Sequence, residues 1–436
     1  MNYTLSIYLE EKNISCLLAI EDILSATGQV GYDRDLSDTF DRLINDLLKQ
    51  SVAAPAEIKT LLITCDFLDL FEVGQISRDK IGYIRYLPKI TRDHHPLEHS
   101  SLQELVITGT VDSLGGLEDI LKKMSTQRLS ALAINPSYFT WRHLTREVLE
   151  PLVSKHLGPL PFLIGSALNK IGYSARENLL LINTLLLPGV NHFYNKLHQA
   201  MKKVGIEAKI LTLRGNGMLM TESKARQFPI YTVKAPMAGC FLIDSPFSGH
   251  VIKVFQQDKQ LIFGLTEQGL PHAPSAPIHY RQASFQIPYP FTRRVILPNH
   301  RSSDSLGKAI KEILTSLNMT NESIPVVIDL PDSEIKSILF RICQRLYLPV
   351  ISCNPHTKTG ALAAPVCIEH EYCLSDYRDA NRLKIQAALW DKIDQELISE
   401  QLQPLGEWSR FWDERFIRYL PEQTTLVHLG VYGRYR

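Results

Sequence analysis

No charge of either sign dominates this chain. Its 436 residues hold 47 Lys plus Arg against 46 Asp plus Glu, a formal net charge of +1. That balance removes any bulk electrostatic case for nucleic acid or an anionic membrane as partner. Long hydrophobic runs are missing too. The most apolar stretch, Leu179 to Val190, is interrupted by Asn183 and Pro188-Gly189 and falls short of the roughly 20 residues a membrane helix needs. The start, Met1-Asn-Tyr-Thr-Leu-Ser-Ile-Tyr8, has no basic region ahead of an apolar core, so no signal peptide is expected. Cysteine is scarce: seven residues, an odd number without regular spacing. This predicts reduced thiols in a cytoplasmic protein, not a disulfide framework.

Familiar site motifs are absent as well. There is no Gly-x-x-x-x-Gly-Lys-Ser/Thr, no Gly-x-Gly-x-x-Gly and no Gly-x-Ser-x-Gly, the signatures of P-loops, dinucleotide sites and nucleophile elbows. Cys367-x-x-His370-x-x-Cys373 has metal-ligand types, with Cys353 or His356 upstream. It lacks paired Cys-x-x-Cys knuckles and reads as separate buried thiols, so no metal site is assigned. Arg92, Asp93, His94, His95 and His99 beside Pro96 read as a solvated polar loop.

What is present is a globular composition, 44% apolar and 21% charged, which excludes a disordered chain. The length suffices for two or three domains. Short apolar runs alternate with helical spacing. Thr60–Cys65, Leu129–Asn135, Phe162–Gly165, Ile210–Leu213, Pro325–Leu330, Leu348–Cys353 and Thr424–Tyr432 predict strands. Trp141–His156, Ser305–Leu317, Ser333–Leu346 and Asp376–Glu400 predict helices. Two helices, Ala175–Leu186 and Asn191–Val204, are expected on either side of a break at Pro188. Phe241 to Leu297 predicts a meander of short strands, with Pro271 to Pro277 as a loop. This alternation indicates an α/β fold.

Two tight turns stand out. Leu211-Thr-Leu-Arg-Gly-Asn-Gly-Met-Leu-Met220 takes an apolar run into a Gly-x-Gly turn, and a second strand is expected to stop at Lys234-Ala-Pro-Met-Ala-Gly239. Turns at strand ends present backbone to a ligand. Gly215, Asn216, Gly217, Lys234 and Gly239 are therefore candidate ligand-binding residues, with the glycines equally readable as turn-formers. Arg176-Glu177 opens a helix, where Glu177 offsets the helix dipole.

The order of pieces resembles the hydantoinase/oxoprolinase family, in its shorter hydantoinase A-like members. The resemblance rests on Ser166, Arg176-Glu177, the helices to Val204, Gly215-Asn-Gly-Met-Leu-Met220, Pro229-Ile-Tyr-Thr232 and Lys234–Gly239. Ser113 to Ile120 and Arg415 to Pro421 are similar to outlying elements. It implies an actin-like ATPase fold, with two ribonuclease H-like lobes around a central cleft. The expected division is 1–175 for the first lobe with an inserted α/β segment and 176–204 for connecting helices. A second lobe over 205–375 and a C-terminal helix with closing strands over 376–436 complete it. The resemblance also implies ATP and a divalent metal as cofactors, cyclic-amide hydrolysis, and a cleft-side role for Arg176 and Glu177 as catalytic candidates. A second hydantoinase-type subunit or a homo-oligomer is the implied protein partner, beside a small-molecule ligand.

The phosphate-binding hairpins of that family have the form Asp-x-Gly-Gly-Thr-x-Thr-Asp. Here they fall on Tyr8-Leu-Glu-Glu-Lys-Asn-Ile-Ser15 and Phe255-Gln-Gln-Asp-Lys-Gln-Leu-Ile262, and the adenosine-side glycine turn on Asp329-Leu-Pro-Asp332. None keeps its glycines, and carboxylates at Glu10-Glu11 would repel a triphosphate. The expectation is a binding or regulatory scaffold that has lost ATP-dependent catalysis. The alternative is a hydrolase of hydantoin- or 5-oxoproline-type amides with a rebuilt site.

Overall fold

The computed structural model describes the chain except for residues 1, 11–12, 21–22, 33–35, 88–101, 138–143, 169–172, 243–248, 258–259, 282, 297–302, 317–323, 331, 353–359, 375–376, 378, 404, 418–423 and 436. The polar cluster at 92–99, Cys353, His356 and Leu420-Pro421 lie outside the described residues.

The chain opens with three antiparallel strands, β1 (Tyr3–Leu9), β2 (Asn13–Ile20) and β3 (Ile23–Gly31), followed by α1 (Leu36–Gln50) and β4 (Ile58–Thr64). β1 and β2 are nearly continuous buried apolar runs, as strands covered on both faces must be. Phe40, Leu43, Ile44 and Leu47 bury one stripe of α1 at helical spacing. After the short α2 (Phe67–Glu72) comes an inserted unit: β5 (Ile81–Tyr86), β6 (Val106–Val111), α3 (Leu114–Met124), β7 (Ala131–Pro136), α4 (Arg146–Leu157) and β8 (Phe162–Ile164). Its four strands are parallel, in the order β6-β5-β7-β8.

α5 (Tyr173–Val204) then returns to β9 (Lys209–Leu213) and β10 (Leu219–Thr221). The expected break at Pro188 is not there: α5 is one 32-residue helix with Pro188 inside it. An internal proline costs roughly 3 kcal/mol. Here Leu179 to Ile182 and Leu185 to Leu187 are at most 3% exposed, and burial of each such side chain returns roughly 1.5–3 kcal/mol. Gly189 lets the backbone at Ser77 lie against the helix. Packing outweighs the local penalty.

Next are α6 (Glu222–Gln227), α7 (Ala235–Phe241), β11 (His250–Gln257), β12 (Gln260–Glu267), β13 (Leu270–Pro271), β14 (Ser275–Tyr280), β15 (Ala283–Pro288) and β16 (Thr292–Ile296). The strand expected to end at Ala-Pro-Met-Ala-Gly is helical instead: Pro229–Thr232 is a 3-10 turn and Ala235–Phe241 an α-helix with Pro236 in its first turn. A proline there fits the helix start, where its missing N–H is not needed. The chain continues through α8 (Ser303–Ser316), β17 (Val326–Asp329), α9 (Ser333–Arg345), β18 (Val350–Ser352), β19 (Val366–Leu374), α10 (Asp379–Ser399), β20 (Ser409–Phe416) and β21 (Thr425–Gly433).

The first sheet runs β20-β21-β19-β10-β9-β4-β1-β2-β3. Within it β3-β2-β1-β4-β9 has three antiparallel strands and then two parallel ones. The second sheet repeats that plan as β16-β12-β11-β17-β18, again three antiparallel strands and two parallel. The same 3-2-1-4-5 order occurring twice is the two-lobed architecture of the actin-like fold. Among the described residues no helix is long and apolar enough to cross a membrane, and the described cysteines are free thiols.

Candidate functional site

A cavity of about 1010 Å³ lies on the α5 side of the first sheet. Its walls are β8 with the turn to Leu168, the start of α4, the Gly-x-Gly turn, α6 to Tyr231, the Leu270–Ala273 and Gln286–Pro288 segments, and β19–β21. Glu369, His370, Glu371, Tyr372 and Cys373 of β19 line it, and alternation along the strand sets which side chains also pack towards α10. Ile368 and Tyr372 pack towards α10, where His370 Nε2 lies 2.5 Å from Glu396. Cys367, Glu369, Glu371 and Cys373 take the opposite face. The i, i+3, i+6 spacing of Cys367, His370 and Cys373 therefore places the histidine on the other side of the strand from both thiols.

Glu369 is the electrostatic centre. It pairs with Arg214, the residue that follows β9, and with His428 Nε2 of β21 at 3.2 Å. Burial alone would raise the Glu369 pKa, but Arg214 and His428 hold its carboxyl well below the usual range. Burial would likewise lower His428, and its bond to Glu369 holds the imidazole above its ordinary value instead. The Arg214 guanidinium lies 5.0 Å over the Tyr231 ring. Lys224, in α6, has its ammonium 4.9 Å over Phe228. Burial pushes its pKa down, with the Glu396 carboxylate opposing.

Among the residues singled out from sequence, Asn216 lines this cavity. Its side-chain oxygen accepts from Met218 N at 3.2 Å and shapes the turn. Gly217 takes φ +84°, and a Cβ on Gly215 would collide with the Val233 carbonyl, so both positions need glycine for backbone reasons. Gly239 sits on Leu213. Lys234 stands elsewhere, at φ +63°, with its N–H donating to Asp66 Oδ2 at 2.7 Å and its Nζ 3.9 Å from Asp69. Asp66 also caps α2 through Leu68 N and Asp69 N. Burial, then the neighbouring Asp69 charge, push its carboxyl upward.

Arg176 and Glu177 are sealed between the inserted sheet and α5. Glu177 Oε1 accepts from Tyr83 OH at 2.8 Å and Arg85 Nε at 2.6 Å. Arg176 Nε donates to Asn135 Oδ1 at 2.8 Å and its Nη2 to Pro136 O at 2.5 Å, while Asn135 Nδ2 donates to Tyr83 OH at 3.2 Å. Both residues are at most 1% exposed, and neither lines the cavity.

The hairpin positions are also closed. Tyr8 is 5% and Phe255 1% exposed. Phe255 packs edge-on against Phe241 of α7 at 5.0 Å, and the Phe241 ring fills the space above Gly264. Beside them Lys253 and Asp329 form a buried ion pair at 3.5 Å.

Lys224, Glu369, Glu371 and His428 were missed as site residues. For the two glutamates the signal was the period-two pattern Cys-x-Glu-x-Glu-x-Cys in β19, alternating with Ile368, His370 and Tyr372. That pattern marks a polar face turned towards a cavity or solvent.

No protein-family model and no curated protein matches the chain in sequence. Solved structures do. The crystal structure of an ATP-dependent caprolactamase from Pseudomonas jessenii is similar at 11% identity and TM-score 0.68, covering 99% of this chain and 88% of that one. The nucleotide-free structure of an acetone carboxylase is similar at 10% identity and TM-score 0.61, with the same coverage. At these identities the likeness establishes the fold, and the two-lobed actin-like α/β architecture expected above is the one observed.

Proposed function

We propose that this chain is a hydantoinase/oxoprolinase-like protein that binds a small molecule in the cavity at Glu369. It works without the family's ATP step, as a binding or regulatory scaffold. The observation that carries the reading is the pair Tyr8 and Phe255, buried where metal-side aspartates would stand. A triphosphate with its metal needs bare backbone N–H groups and a carboxylate at the ion. Two aromatic side chains, the Phe241 ring over Gly264 and the Lys253–Asp329 pair do not fit that group. Isothermal titration with Mg-ATP tests the reading: no binding is expected below millimolar concentration, and micromolar affinity overturns it.

A second reading is favoured by one observation, the cavity's own set of proton-handling groups: Lys224, Glu369 and His428 lie together in it. Together with the likeness to a caprolactamase, this supports a hydrolase of hydantoin- or 5-oxoproline-type amides with a rebuilt site. Lys224 would orient an amide carbonyl, while His428 moves a proton at its imidazole. Arg176 and Glu177 would act from the layer beneath. Turnover of hydantoin or 5-oxoproline by purified protein, lost in His428→Gln, is the expected result. Absence of turnover with and without Mg-ATP overturns this reading and leaves the first intact.

A further inference from the structure

Two charged side chains in the cavity, Lys224 and Glu371, make no direct ion pair among the described residues, although each has a charge of opposite sign nearby. The Lys224 ammonium rests on the Phe228 ring and makes no ion pair, although it feels Glu396 and Glu369 nearby. The Glu371 carboxylate, half-buried on the cavity face of β19, makes no hydrogen bond or ion pair. Around them the other carboxylates have direct contacts: Glu369 with Arg214 and His428, and Glu396 with His370.

Half-buried charges without partners are costly, and chains usually neutralise them with a neighbour. Here one side chain of each sign lacks a direct ion pair, and the two do not pair with each other. Glu369 is the β19 carboxylate near Lys224, and Glu371 stands two residues farther along the same face, a strand step of roughly 7 Å. The walls between are largely apolar and aromatic, with Phe228, Tyr231 and Phe162 among them. The void is large enough for a small organic molecule.

Building on the cavity as a ligand site, we infer that its ligand is a zwitterion of the ω-amino carboxylate class. Its carboxylate sits on Lys224, its ammonium on Glu371, and a short methylene chain lies between them. Each end supplies a direct ion pair that the protein does not, and the strand step from Glu369, beside Lys224, to Glu371 disfavours α-amino acids, whose charges share one carbon.

The test is isothermal titration of the whole chain at pH 7 and low salt with 5-aminopentanoate, pentanoate and n-pentylammonium. The expected result is at least tenfold tighter binding of 5-aminopentanoate than of either singly charged probe. Lys224→Met is expected to reduce its affinity to the pentylammonium level, and Glu371→Gln to the pentanoate level. Equal binding of pentanoate and 5-aminopentanoate overturns the zwitterion and leaves small-molecule binding standing. Changes within twofold in both variants, or no binding by any probe, also overturn it. The comparison of probes on unaltered protein stands even where a variant fails to fold. Mg-ATP titration is read independently, so ATP-independence and ligand class fail separately.

Discussion

Two charged clusters in this molecule use the same residue types and behave as opposites. Beneath the inserted sheet, Arg85, Glu177, Tyr83, Asn135 and Arg176 close a network in which Glu177 is 1% exposed. In the cavity, Arg214, Glu369 and His428 form a cluster whose carboxylate and imidazole remain partly open, at 20% and 34% side-chain exposure. The first joins the inserted unit to α5 and leaves no room for a ligand at Glu177. The second borders a void, with Lys224 and Glu371 beside it lacking direct ion pairs. An Arg-Glu pair read from sequence does not say which kind it is; how completely the surroundings bury it does.

The largest expected effect breaks the sealed cluster. Glu177→Ala removes the carboxylate that Arg85 Nε and Tyr83 OH donate to, and breaking a buried ion pair costs about 3–5 kcal/mol. Urea unfolding is the measure. The double variant Glu177→Leu with Arg85→Met removes both charges and is expected to cost markedly less than either single change. A single-variant loss under about 1 kcal/mol would show that water reaches this layer.

A smaller effect tests whether the interlobe hairpins belong to the sealed kind. A Cβ on Gly264 would collide with the Phe241 ring, so Gly264→Val is expected to cost about 1–3 kcal/mol by overpacking. In a Phe241→Ala background the same valine has space to enter, and its cost should fall towards zero. An unchanged cost there would place the strain in β12 itself and not in the aromatic plug.

The alternating α/β rhythm was readable because buried parallel strands are apolar runs of the right length. Val326–Asp329, α9 and β21 fall within a residue or two of their expected bounds. The missed features depend on distant contacts. Pro188 reads as a helix break because a local rule cannot know that Leu179 to Val190 are enclosed on all sides. The helix at Ala235 follows a left-handed Lys234 whose N–H is held by Asp66, 168 positions away. Glu177 meets Arg85 across 92 positions, and Arg214 meets Glu369 across 155. Motif spacing finds candidates within a segment, whereas the cavity is assembled from segments across most of the chain.

The smallest expected effect separates the clusters by pH. Glu369 has a folded pKa held well below its usual value, so its contribution is present above about pH 4.5 and lost as pH falls towards the folded value. His428 has a folded pKa raised above 6.5, so its contribution is complete below about pH 6.5 and lost as pH rises through the folded value. Their pairing is therefore strongest between those limits, with Arg214 opposing the imidazolium and Glu371 supporting it. Partial exposure screens the pair, so a His428→Gln, Glu369→Gln cycle should give a coupling below about 1 kcal/mol at pH 6. It should fall as pH rises through the folded value of His428. In the sealed cluster, Arg85 and Tyr83 are both raised above already high values, and neither titrates in that interval. The Arg85–Glu177 coupling should therefore stay constant from pH 6 to pH 9. If both couplings fall together, or both stay flat, the distinction between a sealed joint and a cluster open to a ligand does not hold.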